Sequence, residues 1–154
     1  MKNILYAMIV LIIIANCDTN KSNKELKVLD NSDSKEITFI IELNTKGNQL
    51  SDVKEFTQYL SHFIVEREPS TVYGYFISDD GNKVTLIERY NNSQDGIQHG
   101  IDFINGPNFT KFFEIFEIES FITIGNATEE FKQFASDNGF TIEYRKSIGG
   151  YVRR

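Results

Sequence analysis

Two side chains in this sequence pair a titratable group with apolar surroundings. His99 shares a helical stripe with Gly96 and Phe103, at spacings of three and four, and the glycine would let that stripe approach a sheet closely. An imidazole titrates near working pH, so a His99 facing a cavity suits a general base or a ligand. A His99 facing a filled core would instead be held by a carboxylate or carbonyl. Glu88 lies in line with Val84, Leu86 and Tyr90 on one face of a β-type run, with Thr85, Ile87 and Arg89 on the other. A carboxylate buried there needs a partner, which His99, Arg153 or a backbone amide can supply; the purely structural alternative is an interface ion pair with Arg89 or Arg153. The catalytic candidates are therefore His99 and Glu88.

Aromatic side chains surround them in number: 13 Phe and 7 Tyr, with no Trp. Tyr73, Tyr75, Tyr90 and Phe103 are the candidate ligand-binding residues, able to line a cavity for a flat apolar molecule, although a packed core or a dimer face would use the same rings. His62 sits among polar residues and reads as solvated. No His/Cys/Asp spacing suggests a metal, and neither a Gly-rich phosphate loop nor a nucleophile elbow is present, so no metal or cofactor is expected. The formal charge of −6 and the lack of a basic cluster argue against nucleic acid as a partner.

The elements that must position these groups can be read from periodicity. Ile37 to Leu43 is β-rich and ends at the turn signal Lys46-Gly47-Asn48. Leu50, Val53, Phe56, Leu60, Phe63 and Ile64 form one helix face, with Ser51 or Asn48 as the cap and Pro69 beyond its end. Val72 to Ile77 and Lys83 to Tyr90 are strands flanking Asp80-Gly81, hence an antiparallel hairpin. Asn92-Ser93 caps a second helix to about Ile104, Gly106-Pro107 breaks it, and a short helix spans Phe109 to Phe113. Phe116 to Ile124 is a fourth strand, Thr128 to Ser136 a further helix, Thr141 to Tyr144 a last short strand, and Gly149 to Arg154 a tail. This order predicts an α+β fold, a ferredoxin-like βαββαβ sandwich with a four-stranded antiparallel sheet and both helices on one side. The other sheet face needs cover, and a second copy of the chain would supply it, which predicts a homodimer.

The N-terminus has a different character. Lys2 precedes an apolar run from Ile4 to Ala15, too short to span a bilayer, and Cys17 is the sole cysteine. Ile14-Ala15-Asn16-Cys17 resembles the lipobox of bacterial lipoproteins, with Asn16 where a smaller residue is usual. The resemblance implies a signal peptide over 1–16, lipidation of Cys17, and a protein lipid-anchored to a membrane in the bacterial cell envelope. The polar stretch 17–35 then reads as a flexible tether, and 36–154 as the domain.

Within that domain, Glu68-Pro69-Ser70-Thr71-Val72-Tyr73-Gly74-Tyr75, Asp79-Asp80-Gly81, Glu88-Arg89-Tyr90-Asn91-Asn92-Ser93 and His99 resemble, in order and spacing, the antibiotic biosynthesis monooxygenase-like family of dimeric α+β barrels, which includes quinol monooxygenase-like members. Ile124 to Ala127 and Gly149 to Arg153 extend the resemblance to the end of the chain. It implies a dimeric α+β barrel and a cofactor-independent monooxygenase acting on a small aromatic or quinol-type compound, with haem binding through His99 a weaker alternative. Three departures stand out: no Trp, Ser70 where the family has Gly, and Asn92 where it has Asp. The alternative function is a non-catalytic dimeric envelope lipoprotein that binds a small ligand or a protein.

Overall fold

The computed structural model describes residues 28–153. The expected signal peptide, Cys17 and the first part of the expected tether lie outside these residues.

The central sheet grows from alternation. In Ile37–Asn44 (β2), Ile37, Phe39, Ile41 and Leu43 are buried, and Lys83–Tyr90 (β4) likewise buries Val84, Leu86, Glu88 and Tyr90. The two pair antiparallel, with Phe39 opposite Glu88. Val72–Ile77 (β3) pairs with the far side of β4 through the Ser78–Asn82 loop, in which Gly81 takes a φ of 74°. Glu117–Gly125 (β5) pairs antiparallel with the near side of β2. With Glu143–Arg145 (β6), the order is β3-β4-β2-β5-β6. The first four strands reproduce the expected antiparallel ferredoxin-like sheet. The fifth pairs parallel to β5, a contact that local alternation cannot announce.

The helices pack on one face of this sheet. Leu50–Val65 (α1) buries Val53, Phe56, Leu60 and Ile64 in the core. Neither expected cap serves it: Gln49 is the N-cap and makes no side-chain bond. The Asn48 amide is instead engaged by the carbonyls of Thr45, Glu114 and Ile115. Ser93–Asn105 (α2) is capped by Asn92, whose side chain accepts from the Asp95 amide at 3.0 Å. Phe109–Ile115 (α3) follows, and Glu129–Asp137 (α4) starts at Thr128, whose hydroxyl accepts from the Phe131 amide. Gly96 works as the sequence implies, since a Cβ there would stand 2.8 Å from Ile37 Cδ1 and 3.1 Å from Phe39 Cζ. Only a glycine lets α2 lie this close to β2.

The expected tether is corrected at its C-terminal end. Val28–Asp30 (β1) pairs antiparallel with Tyr151–Arg153 (β7), so the expected tail is also a strand. Asn126 reinforces this arrangement by donating to the carbonyls of Ser32 and Ser34. Three-residue strands joined across the length of the chain leave no periodic signature. No helix among the described residues is long and apolar enough to cross a membrane.

Candidate functional site

The site is built where β4, α2 and the turn after α1 converge. β4 alternation turns Glu88 inward, and the close seating of α2 at Gly96 brings His99, one turn on, over that carboxylate. His99 Nε2 lies 3.4 Å from Glu88 Oε2, which also accepts a hydrogen bond from the Tyr90 hydroxyl at 3.1 Å. His99 Nδ1 is hydrogen-bonded to Glu68 Oε2. Glu68 is held in place at the end of α1, its amide donating to the Ile64 carbonyl at 2.9 Å. Sequence reasoning quoted Glu68 only within a family segment and did not single it out. The side chains of Glu68, His99 and Glu88 are 4 %, 11 % and 3 % exposed, so two carboxylates flank one imidazole almost out of water.

The electrostatics follow from that geometry. Burial works to lower the affinity of His99 for its proton, but the Glu88 charge together with the bond and charge of Glu68 outweigh it, and the pKa rises above the ordinary value. Burial pushes the Glu88 carboxyl up, and the opposing His99 charge and Tyr90 bond reduce that rise without cancelling it. Burial likewise raises the Tyr73, Tyr75 and Tyr90 phenols, so all three stay protonated at working pH.

A narrow cavity of about 60 Å³ opens between sheet and helices. Among the described residues, Glu88 and His99 are its only titratable lining apart from the Tyr73 phenol. The remainder is apolar, from Phe39 and Phe121 on the sheet, Phe103 on α2, Phe131 and Phe134 on α4, and Phe140 and Ile142 beyond it. Ligand pockets usually measure about 300–1,000 Å³, so a ring-sized molecule must displace side chains to enter. Phe134 is half-buried and leans on Gly100, where a Cβ would meet its ring at 2.6 Å.

The structure sorts the remaining sequence candidates. Tyr73 and Phe103 wall the cavity, and the Phe103 ring stacks on His99 at 6.3 Å between centroids. Tyr75 and Tyr90 do not. Tyr75 bonds the Tyr73 hydroxyl at 2.8 Å, stacks on Phe116, and lines an open groove beside α1; Tyr90 is fully buried and holds Glu88. Neither arginine reaches Glu88. Arg89 points to the opposite sheet face and donates to Thr71 Oγ1, and Arg153 lies over the Tyr151 ring. His62 is exposed, as read. Among the described residues, no group of three His, Cys, Asp or Glu side chains is arranged to hold a metal.

This arrangement can take a proton from a weakly acidic O–H or C–H in a dry pocket, with a carboxylate whose proton affinity is enhanced and an imidazolium beside it to balance the charge.

No known family profile matches the chain, and no curated protein matches it. Among solved structures, MupZ from Pseudomonas fluorescens overlays with a TM-score of 0.64 at 13% identity, covering 78% of this chain and 96% of MupZ. SO0527 from Shewanella oneidensis overlays with a TM-score of 0.46 at 15% identity, covering 63% of this chain and 92% of that one. A Nitrosomonas europaea protein assigned as an antibiotic biosynthesis monooxygenase gives 0.42 at 11% identity, covering 79% and 89%. The chain has the α+β ferredoxin-like fold, which the overlay on MupZ supports.

Proposed function

We propose that the domain is a general acid–base enzyme that deprotonates a small, flat, largely apolar molecule, and that a cofactor-independent monooxygenation of a quinol-type compound is the reaction best suited to its cavity. The observation that carries this reading is the buried Glu68–His99–Glu88 chain opening onto otherwise aromatic walls. Glu88 takes a phenolic proton while His99 offsets the charge, and the electron-rich anion then reduces dioxygen itself. A C–O bond forms at a ring carbon as a hydroperoxide; loss of the ring proton and cleavage of the O–O bond give a hydroxyquinone and one water. The quinol supplies all four electrons, so no separate reductant is required. Oxygen uptake by the protein with a panel of quinols tests the reading. Uptake that His99→Ala and Glu88→Gln both abolish supports it, and absence of uptake with every quinol favours the ligand-binding alternative, for which the narrow cavity and the lack of Trp speak.

The setting proposed for this chemistry is a lipid-anchored homodimer in the bacterial cell envelope. Loss of palmitate labelling in Cys17→Ser checks the anchor. For the dimer, the helix-free sheet face offers a self-complementary pattern. Ile40, Ile87 and Ile122 form a central stripe, Arg89 lies toward one end, and Glu42, bonded to Thr85, toward the other. A two-fold axis in the sheet plane and perpendicular to the strands lays Arg89 of one copy over Glu42 of the other.

A further inference from the structure

His99 touches two compartments. Its Nε2 side, with Glu88, faces the aromatic cavity; its Nδ1 side, with Glu68, borders a separate cleft of about 30 Å³ between the end of α1, α2 and the 106–108 turn, with Asp102 at its lining. Asp102 is exposed, so this cleft reaches the surface beside a carboxylate, between otherwise mostly apolar walls. At about 10–15 Å³ of such volume per molecule, the cleft has room for two waters, with the Glu68 and Asp102 carboxylates as partners. From this two-sided placement we infer that His99 exchanges its own proton with solvent on the side away from the cavity, by way of Glu68 and past Asp102. The inference rests on the acid–base reading of the same site and adds a direction and a second compartment to it.

A ligand gives one proton to Glu88, and the His99 imidazolium offsets the anion left in the cavity. The leaving hydroxide later takes the Glu88 proton as water, so turnover itself releases no net proton, and exchange of the Nδ1 proton through Glu68 resets the His99 charge to that of the solvent between turnovers. The titratable groups facing His99 are Glu68, Glu88, Tyr73, Tyr90 and Asp102, and the two phenols stay protonated throughout.

The test needs neither ligand nor turnover. Solvent exchange of the His99 ring N–H protons is measured by nitrogen-15 NMR, with His62→Gln to assign the signals, and rates are compared at equal His99 protonation. Glu68 is the acceptor that carries the Nδ1 proton out, and a Gln amide cannot take a proton, so Glu68→Gln should slow Nδ1 exchange about tenfold or more, with Asp102→Asn slowing it less. Glu88→Gln, on the cavity side, should not slow that rate. Equal exchange in wild type and Glu68→Gln, or slowing by Glu88→Gln to the same degree, overturns the route. If Glu68→Gln fails to fold, Asp102→Asn decides: an unchanged rate overturns the route and a slowed one supports it. Failure of every quinol to react would sink the reaction proposed above without touching this result.

Discussion

Replacing His99 by alanine withdraws the single cation between two carboxylates that are 4 % and 3 % exposed. Removing one partner of a buried pair costs about 3–5 kcal/mol, because the remaining charge has neither water nor counter-ion. The cost must depend on pH, and its direction follows from the shifts. The Glu88 carboxyl is already raised by burial, and losing the lowering influence of His99 raises it further. A raised carboxyl contributes stability that is full below its unfolded value of about 4.3 and is lost as pH climbs through the folded value. The variant therefore loses stability between pH 5 and 7, by up to about 2.7 kcal/mol if Glu88 stays protonated across both units. Wild type keeps its His99 contribution in full over most of the same range, up to about pH 6.5. That raised imidazole contributes fully below its unfolded value of about 6.5 and loses its contribution only as pH passes through the higher folded value. Urea unfolding at pH 5, 7 and 9 should show a wild-type advantage that widens from pH 5 to 7 and narrows again once His99 is neutral in wild type. Adding Glu88→Gln to the variant should flatten its slope. A gap below about 1 kcal/mol at pH 7, or one unchanged between pH 5 and 7, would refute the reasoning that His99 carries charge between these groups.

Three further outcomes are expected. Gly96→Ala should destabilise by about 1–3 kcal/mol, because its Cβ meets buried Ile37 and Phe39. Gly100→Ala, whose Cβ meets only the half-exposed Phe134 ring, should stay within about 1 kcal/mol of wild type as helix propensity offsets the contact; urea midpoints compare the two. Thr123→Val should stabilise by about 1 kcal/mol in thermal unfolding, since the buried Thr123 Oγ1 has no hydrogen-bond partner among the described residues. Arg89→Glu and Glu42→Arg should each weaken self-association in sedimentation velocity, and the double exchange should restore it. The two residues are about 13 Å apart along the strands of one copy, so a rescue reports pairing between copies.

Much of this was legible along the chain. The alternation in β4 identified the inward face of Glu88, and the Gly96–His99–Phe103 stripe identified both the close approach of α2 and the residue it delivers. Glu68 escaped because it lies past the end of α1, where periodicity has stopped, and meets His99 across 31 positions of sequence. The far wall of the cavity escaped for a similar reason. Phe131, Phe134 and Phe140 belong to a late helix and the loop after it, which carry no local sign of lying over the site; the parallel pairing of β6 with β5 accompanies that placement. The alternation in β4 places Tyr90 on the inward face with Glu88, but which inward ring borders empty space, and so why neither Tyr75 nor Tyr90 does, depends on how neighbouring helices fill the layer.

The β1–β7 ribbon has a mechanical consequence. A pull on the chain ahead of Val28 meets three residue pairs before any strand of the five-stranded sheet feels it. Behind them, the Asn126 amide grips the backbone at Ser32 and Ser34, and Asn31 is bonded to the Gly150 carbonyl. Under a load applied ahead of Val28 this ribbon would be the first pairing to yield, with β4, α2 and the carboxylates around His99 lying behind it in the other sheet's layer.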